Sequence, residues 1–317
     1  MAFEEIYNEN KAETRRKSSL FAIIMFTVAA LFIGLILYAK VGNYFYKKHL
    51  ICHIIEISMT SNKDLRSFYR RVYSKGEQKH FTPFVVRGTP TSDSKEILKE
   101  INWKGKTVLD VGCGTGLFAY LAAKKGATVL GIDYADEAIK LAQRRYQHTN
   151  LQFKKLNAVE VKGKYDVIVS IGTLEHMDEP FKMLKLLKTR LTKNGKIIVT
   201  TPNWTNPRGY ILMTLKLLFD APITLADLHY LTPLNHMEWA KRLKLTLKWR
   251  TIEKSWAHGD VLLSDFKRRL PNVLRDAKLP NNQKRINALL KWLKTYVNPL
   301  DNSLPQSGAV GLYVYSK

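Results

Sequence analysis

The stretch VLDVGCGTG, residues 108–116, places three glycines directly after an apolar run. The apolar run predicts a buried β-strand, and glycine lets the backbone that follows turn tightly and approach a ligand closely. In open α/β sheets, ligands bind just beyond the carboxyl ends of the strands. The stretch therefore predicts a ligand site between the end of a strand and the start of a helix.

Strand and helix patterns alternate on either side of this stretch. The predicted strands are KTVLDV (106–111), TVLGID (128–133), LQFKKL (151–156), YDVIVSI (165–171) and KIIVTT (196–201). Helices are predicted at LFAYLAAKKG (117–126), at ADEAIKLAQRRYQ (135–147) and at PFKMLKLLKTRL (180–191), the last ending near Asn194–Gly195. Strands that alternate with helices predict βαβ units, a parallel sheet and right-handed crossovers. Further along, LNHMEWAKRLKL (234–245) is typical of a helix, and TLKWR (246–250) and AVGLYVYSK (309–317) of strands.

The spacing of the glycines distinguishes two kinds of nucleotide ligand. A dinucleotide fingerprint G-x-G-x-x-G that starts at Gly112 would need glycine at position 117, where this chain has Leu117. Asp133 ends the second predicted strand, and a carboxylate there can accept hydrogen bonds from two ribose hydroxyls. The alternative interpretation is that Asp133 only caps the helix that follows it.

The run VLDVGCGTGLFAYLAAKKGATVLGID (108–133) resembles the first two motifs of class I S-adenosylmethionine-dependent methyltransferases. VGCGTG (111–116), SIGTLEH (170–176) and GKIIVTTPN (195–203) are similar to the ubiquinone-biosynthesis O-methyltransferase group. The similarity covers about residues 95–205. It implies a Rossmann-like, mostly parallel seven-stranded sheet with helices on both faces, S-adenosylmethionine as cofactor, and methyl transfer as the reaction.

The resemblance also implies a set of cofactor-binding residues. Asp110 would orient the loop, Asp133 would hold the ribose, and Tyr134 would lie against the adenine. Asn157 stands where the family often has aspartate, which reverses the hydrogen-bonding polarity of part of that side chain. The full set is Asp110, Gly112, Cys113, Gly114, Gly116, Asp133, Tyr134, Asn157, Ala158, Ser170 and Ile171.

Three residues are candidates for catalysis. An oxygen nucleophile often needs a base close to its proton, and histidine is the usual base near neutral pH. LEHMDEP (174–180) supplies Glu175 and His176 just past the fourth predicted strand, and DLHYLTP (227–233) supplies His229. Each histidine could instead have a packing or hydrogen-bonding role, and His236 is expected on a helix surface. No ligand spacing predicts a metal site, although Glu175 could contribute a carboxylate to one.

An apolar segment near the N-terminus predicts a membrane anchor. Residues 18–39 carry no charge, and a helix of about 20 such residues spans a bilayer. We therefore expect a basic tail at 1–17, a transmembrane anchor at 18–41, a helical connector at 42–94 and a methyltransferase domain at 95–317, with a basic insertion at about 252–305. A catalytic domain that uses S-adenosylmethionine is expected to face the cytosol. Two cysteines, Cys52 and Cys113, make a disulfide framework improbable.

The positive charge is concentrated late in the chain. The 317-residue chain has a formal net charge of +24, and residues 241–296 contain 15 Lys or Arg against four Asp or Glu. This surface could be merely solvated, or could face anionic lipid headgroups, with Trp256 and Trp292 at the interface. Nucleic acid is the less favoured partner. The sequence predicts a membrane-anchored O-methyltransferase for a lipid-soluble acceptor such as a quinol precursor or lipid; an RNA-modifying enzyme and a non-catalytic cofactor-binding module are the alternatives.

Overall fold

A computed structural model describes residues 91–224, 227–254, 259–298 and 306–317. The predicted basic tail, the transmembrane segment and residues 42–90 of the connector lie outside these ranges, as does Trp256. Every helix within the described ranges is too short or too polar to span a bilayer.

Seven strands alternate with helices along the described ranges. The strands are β1 Thr107–Val111, β2 Thr128–Asp133, β3 Leu151–Lys155, β4 Tyr165–Ile171, β5 Leu191–Pro202, β6 Thr246–Ile252 and β7 Val310–Ser316. The helices are α1 Ser92–Ile97, α2 Leu117–Lys124, α3 Asp136–Arg145, α4 Pro180–Thr189, α5 Pro207–Phe219, α6 Pro233–Leu243, α7 Gly259–Asp276 and α8 Gln283–Trp292. Two short 3₁₀ turns, Ala158–Glu160 and Leu174–His176, follow β3 and β4.

The strands form one sheet in the order β3-β2-β1-β4-β5-β7-β6. The pairs from β3 to β5 are parallel, and β7 runs antiparallel to both β5 and β6. This confirms the predicted mostly parallel seven-stranded sheet. The chain order changes direction between β1 and β4, so the loops after these strands and after β2 meet at one edge of the sheet.

Helices cover both faces of the sheet because successive strand residues point to opposite sides. On one face, Leu109 and Ile168 pack with Leu184 of α4 and Leu243 of α6. On the other face, the cluster includes Val108, Val129 and Val167 of the strands, Ala119 of α2 and Ile139 of α3. A separate apolar cluster joins α5, α7 and α8 through Leu212, Phe266, Leu270 and Ile286. Helices α7 and α8, which belong to the predicted basic insertion, thus pack in an apolar cluster separate from the two that cover the sheet.

The boundary between α4 and β5 differs from the sequence-based prediction. The helix was expected to end near Asn194–Gly195, but it ends at Thr189 and the strand already begins at Leu191. Leu191 pairs with Tyr165, and the register then shifts before Lys196 pairs with Val167. Sheet pairing of Leu191 therefore overrides the helical periodicity of this segment.

His236 is buried, so its expected position on a helix surface is wrong. Its side chain is fully buried on the inner face of α6, and its ring stacks on Tyr313 with ring centroids 3.6 Å apart. His236 Nδ1 lies 2.7 Å from the Tyr315 hydroxyl, and burial lowers the pKa of His236 to about 3. The stacking partner Tyr313 and the polar partner Tyr315 both belong to β7, which lies far from His236 in sequence.

We predict that Gly116→Ala destabilises the protein more than Gly105→Ala. Both glycines have left-handed backbones, with φ of 82° and 71°. A Cβ at position 116 would lie 2.5 Å from Phe153 Cζ, whereas a Cβ at position 105 would meet nothing within 4 Å. We expect a loss of about 2–4 kcal/mol in the free energy of unfolding for Gly116→Ala, against about 1 kcal/mol for Gly105→Ala. Urea denaturation measures both, and equal losses would contradict the packing argument.

Candidate cofactor and acceptor site

A cavity of about 1380 Å³ opens at the carboxyl ends of β1, β2 and β4. Its lining includes most of the residues expected to bind the cofactor, together with Glu175 and His176. The expected residues in the lining are Asp110, Gly112, Cys113, Gly114, Asp133, Tyr134, Asn157, Ala158, Ile171, Glu175 and His176. Gly116, Ser170 and His229 are not part of it. One cavity thus brings together the expected cofactor residues and two candidate catalytic residues.

The glycine loop can hold its shape only with glycine at its key positions. Gly112, Gly114 and Gly116 have φ values of 73°, 51° and 82°, a region that other residues rarely adopt. A Cβ at Gly112 would lie 2.4 Å from Thr173 Cγ2, so the loop packs closely against the segment that follows β4. The N–H groups of Gly112 and Cys113 both donate to the Ile132 carbonyl at 2.9 Å, which ties the loop to β2.

Asp133 links the glycine loop to the start of α3. Its Oδ2 accepts a hydrogen bond from the Gly114 N–H at 3.0 Å, and its Oδ1 accepts one from the Ala135 N–H at 2.9 Å. Burial raises the pKa of Asp133, while these backbone hydrogen bonds oppose the rise. Asp133 therefore fixes the turn before α3, whereas the N-cap of α3 is Ala135 and has no side-chain cap. The Tyr134 N–H is a third backbone donor to this carboxylate, and the acceptor capacity that remains is available to the ribose.

Asp110 is a buried carboxyl group on the wall of the same cavity. Its residue is only 2% exposed, and its Oδ2 has no hydrogen-bond partner among the described residues. Burial, and secondarily the charge of Asp133, raises the pKa of Asp110 to about 7. A buried oxygen without a partner is costly, and a cationic group in the cavity would relieve this cost.

The remaining expected cofactor residues lie at the edge of the cavity or beneath it. Tyr134 is 40% exposed at the cavity rim. Asn157 Oδ1 accepts a hydrogen bond from the Val159 N–H, which caps the 3₁₀ turn Ala158–Glu160. Ser170 is fully buried, and its hydroxyl has no partner among the described residues. Cys113 is partly buried in the cavity wall, and burial raises the pKa of its thiol well above the usual range.

Three acid–base groups converge opposite the glycine loop. Ligand atoms of Glu175, His176 and Asp227 all lie within 4.8 Å of one another, and His176 Nδ1 is 3.5 Å from Asp227 Oδ1. Burial, and next the charge of Asp227, raises the pKa of Glu175 well above its usual range. Burial also raises the pKa of Asp227, while the positive charges of His176, Arg208 and Arg269 oppose that rise. The group could position a proton acceptor or hold a divalent cation.

Sequence reasoning missed Asp227 and selected His229 from the same motif. His229 Nε2–H donates to the Met177 carbonyl at 2.9 Å, and the N–H groups of Leu228 and His229 donate to the Glu175 carbonyl at 3.1 Å. These bonds join two segments that lie about fifty residues apart, and they bring Asp227 beside His176. His229 therefore has a structural role here. Asp227 could be identified as a site residue only from the fold.

Residues 102–253 match the family model described as a methyltransferase domain. By this match, residues 102–253 correspond to a methyltransferase domain. The domain is 32% identical over 117 residues to a ubiquinone biosynthesis O-methyltransferase of Aeromonas salmonicida, a match that covers 35% of this chain and 49% of the relative. The match thus spans about half the length of this curated relative.

Solved structures share the fold of the methyltransferase domain at low sequence identity. A phosphoethanolamine N-methyltransferase of Haemonchus contortus aligns with a TM-score of 0.54 and 15% identity, covering 82% of this chain and 61% of that chain. An S-adenosylmethionine-dependent methyltransferase of Thermotoga maritima aligns with a TM-score of 0.51 and 15% identity, covering 79% of this chain and 99% of that chain. At these identities the likeness concerns the fold alone.

We predict that Asp110→Asn stabilises the ligand-free protein increasingly as pH rises. The carboxyl has its usual pKa of 3.8 when unfolded and about 7 when folded, so the folded state binds its proton more tightly. Stability contributed by Asp110 is therefore lost as pH rises from about 4 to 7. Asparagine cannot ionise, so the variant should gain about 1–4 kcal/mol over the natural protein between pH 5 and 8.

Asp166→Asn is the matched control for this experiment. Hydrogen bonds from Thr107 lower the pKa of Asp166, so its stabilising contribution is lost as pH falls through that lowered value. Urea titrations across the pH range should give opposite slopes for the two variants. A pH-independent difference for Asp110→Asn would contradict the assigned burial of its charge.

Proposed function

We propose that this protein transfers a methyl group from S-adenosylmethionine to a hydroxyl oxygen of an acceptor bound in the same cavity. One observation carries the proposal. The loop held by Asp133 and the group of Glu175, His176 and Asp227 line a single cavity. A methyl acceptor and a methyl donor must meet in line, so both kinds of residue have to face one space.

The residues of the loop fit the proposed cofactor. Asp110 offers a buried oxygen that has no partner among the described residues, which suits the positive charge that the cofactor carries. Asp133 offers its remaining acceptor capacity to the ribose, and the exposed ring of Tyr134 can cover a flat base. When bound, S-adenosylmethionine supplies a methyl group activated by a sulfonium centre. The chain itself holds the cofactor, orients the acceptor and excludes water.

His176 is the proposed base for the acceptor hydroxyl. Its Nδ1 faces Asp227, which can orient the imidazole and stabilise its protonated form. Burial raises the pKa of Glu175, which favours its protonated form, and in that form it can donate a hydrogen bond to the acceptor oxygen. In this arrangement His176 would take the acceptor proton while the methyl group leaves the sulfonium sulfur and joins the acceptor oxygen.

A divalent cation is the second candidate for activating the hydroxyl. The close approach of one atom each from Glu175, His176 and Asp227 favours it, because carboxylate and imidazole groups at such distances can share one ion. A cation would lower the pKa of a bound hydroxyl without any general base. The two candidates differ in their response to a chelator.

The acceptor is proposed to be lipid-soluble and membrane-borne. Met177, Met183, Leu186, Trp204 and Ile223 line the cavity and favour an apolar portion of the acceptor. The similar protein from Aeromonas salmonicida is named for ubiquinone biosynthesis, and this name suggests a quinol precursor or a lipid. We further propose that residues 18–41 anchor the chain in the membrane with its methyltransferase domain facing the cytosol, and that the basic late segment lies near anionic headgroups. An RNA acceptor and a non-catalytic role remain alternatives to this proposal.

We predict that Asp133→Asn weakens S-adenosylmethionine binding at least about tenfold. The amide places an N–H₂ group against the Gly114 or Ala135 N–H and loses an acceptor for the ribose. Asp136→Asn is the control, since Asp136 is an exposed residue of the same segment that pairs with Lys140. Isothermal titration of the full chain measures both affinities. Unchanged affinity for Asp133→Asn would refute the ribose role.

We predict that His176→Gln lowers kcat about 10²–10⁴-fold with unchanged cofactor affinity, because it removes the base. His148→Gln, at an exposed histidine outside the cavity lining, is the control. Release of S-adenosylhomocysteine is measured with a total lipid and quinone extract as acceptor. Activity that survives EDTA supports the base, and activity that EDTA abolishes and Mg²⁺ restores supports the cation. Cofactor binding without turnover on any acceptor would support the non-catalytic alternative.

A further inference from the structure

Three arginines share one buried carboxylate on another part of the cavity wall. Arg208 Nε donates to Asp265 Oδ2 at 3.0 Å, Arg268 Nη2 donates to Asp265 Oδ1 at 3.0 Å, and Arg269 Nε donates to Asp265 Oδ2 at 3.2 Å. The side chain of Asp265 is 0% exposed. All three arginines line the cavity. We name Arg208, Arg268 and Arg269 the arginine cluster.

The arginine cluster carries more positive charge than its carboxylate can neutralise. Three guanidinium groups face one carboxylate, and arginine remains charged under ordinary conditions. Asp227 also interacts with Arg208 and Arg269, but it faces His176 as well. Burial, and next the positive charge of Arg269, lowers the pKa of Arg208, as expected for crowded like charges. An anion would relieve this crowding.

Arg208 has donors to spare within the cavity. Its side chain is only 13% exposed, and Asp265 is its single hydrogen-bond acceptor among the described residues, through Nε alone. Two terminal nitrogens of its planar fork are therefore available to an oxyanion. Arg269 differs, because its Nη1 also donates to the Ile223 carbonyl at 3.0 Å. Arg269 thus fixes the position of the cluster, Arg208 offers the binding donors, and Arg268 adds positive charge beside them.

The position of the cluster relates it to the proposed acceptor. It lines the same cavity as His176, and its charges act on Asp227, the neighbour of His176. Ile223, Trp204 and Val273 also line this cavity. An acceptor here would meet a base, an apolar wall and a group of cations.

We propose that the arginine cluster binds an anionic group of the acceptor, a phosphate or a carboxylate, while the acceptor hydroxyl lies at His176. This inference rests on the proposed function and narrows its substrate class to amphipathic anions. Guanidinium forks bind such groups through paired charge-assisted hydrogen bonds, which are stronger than neutral ones. The cluster would thereby orient the acceptor as well as bind it.

The test measures binding rather than turnover, so it does not depend on the proposed reaction. The full chain in a non-ionic detergent, saturated with S-adenosylhomocysteine, is titrated with phenyl phosphate, benzoate and benzyl alcohol. We expect phenyl phosphate or benzoate to bind at least tenfold more tightly than benzyl alcohol, and the stronger of the two identifies the anionic group. Equal binding of all three probes would overturn the proposal.

Two variants and one control locate the binding site. Arg268 is 48% exposed at its side chain, so Arg268→Gln should leave the fold intact and weaken anion binding about tenfold. Arg208→Lys keeps the charge but removes the fork, and a similar loss is expected. Arg285→Gln on α8 makes the same charge change at an exposed residue outside the cavity lining, and it should not alter binding.

The outcomes separate this inference from the proposed function. If the natural protein fails to bind S-adenosylhomocysteine, that result counts against the proposed function and not against the arginine cluster as an anion site. Equal weakening by Arg268→Gln and Arg285→Gln would mean that bulk charge attracts the anion, and would overturn the cluster as a site. Arg268→Gln could also shift the pH profile of turnover while the preference for phenyl phosphate over benzyl alcohol stays unchanged. That result would overturn the proposal, because the arginines would then act only on the charge of Asp227.

Discussion

The carboxylate of Asp133 holds together the part of the fold on which the site depends. It lies at the end of β2, yet it accepts one hydrogen bond from the glycine loop after β1 and another from the start of α3. Because the loop contains three left-handed glycines, its backbone has little intrinsic preference for one shape. The two hydrogen bonds and the packing of Gly112 on Thr173 select that shape. Everything proposed for the cofactor requires it.

Charges of opposite sign occupy different parts of one cavity. Asp110 and Asp133 lie at the glycine loop, Glu175 and Asp227 accompany His176, and the arginine cluster lies on α5 and α7. Apart from Arg268, these side chains are largely removed from water, so their pKa values and interactions respond strongly to their neighbours. Asp227 connects the second and third groups, because it faces His176 and is also influenced by Arg208 and Arg269. This arrangement gives a methyl donor and an acceptor with an anionic group separate places to bind.

Residues close together in sequence were the predictable part of the site. The glycine loop follows β1, Asp133 ends β2, and the pair Glu175–His176 comes within five residues of the end of β4. Strand periodicity, which locates these strand ends, is a strong local signal. Asp227 was not predictable in this way, since hydrogen bonds from Leu228 and His229 to the Glu175 carbonyl bring it into place. His236 illustrates the same limit, because aromatic residues of the last strand bury it. The arginine cluster was visible only as part of a general excess of positive charge.

The sequence by itself determined the alternation of strands and helices, the parallel sheet and the loop that follows its first strand. These features follow from hydrophobic periodicity and from glycine conformations, which act over a few neighbouring residues. The tertiary structure alone decided which distant side chains share the cavity, where α4 gives way to β5, and that Arg208, Arg268 and Arg269 surround Asp265. Such contacts depend on packing between elements far apart in the chain, and no local pattern of residues encodes them.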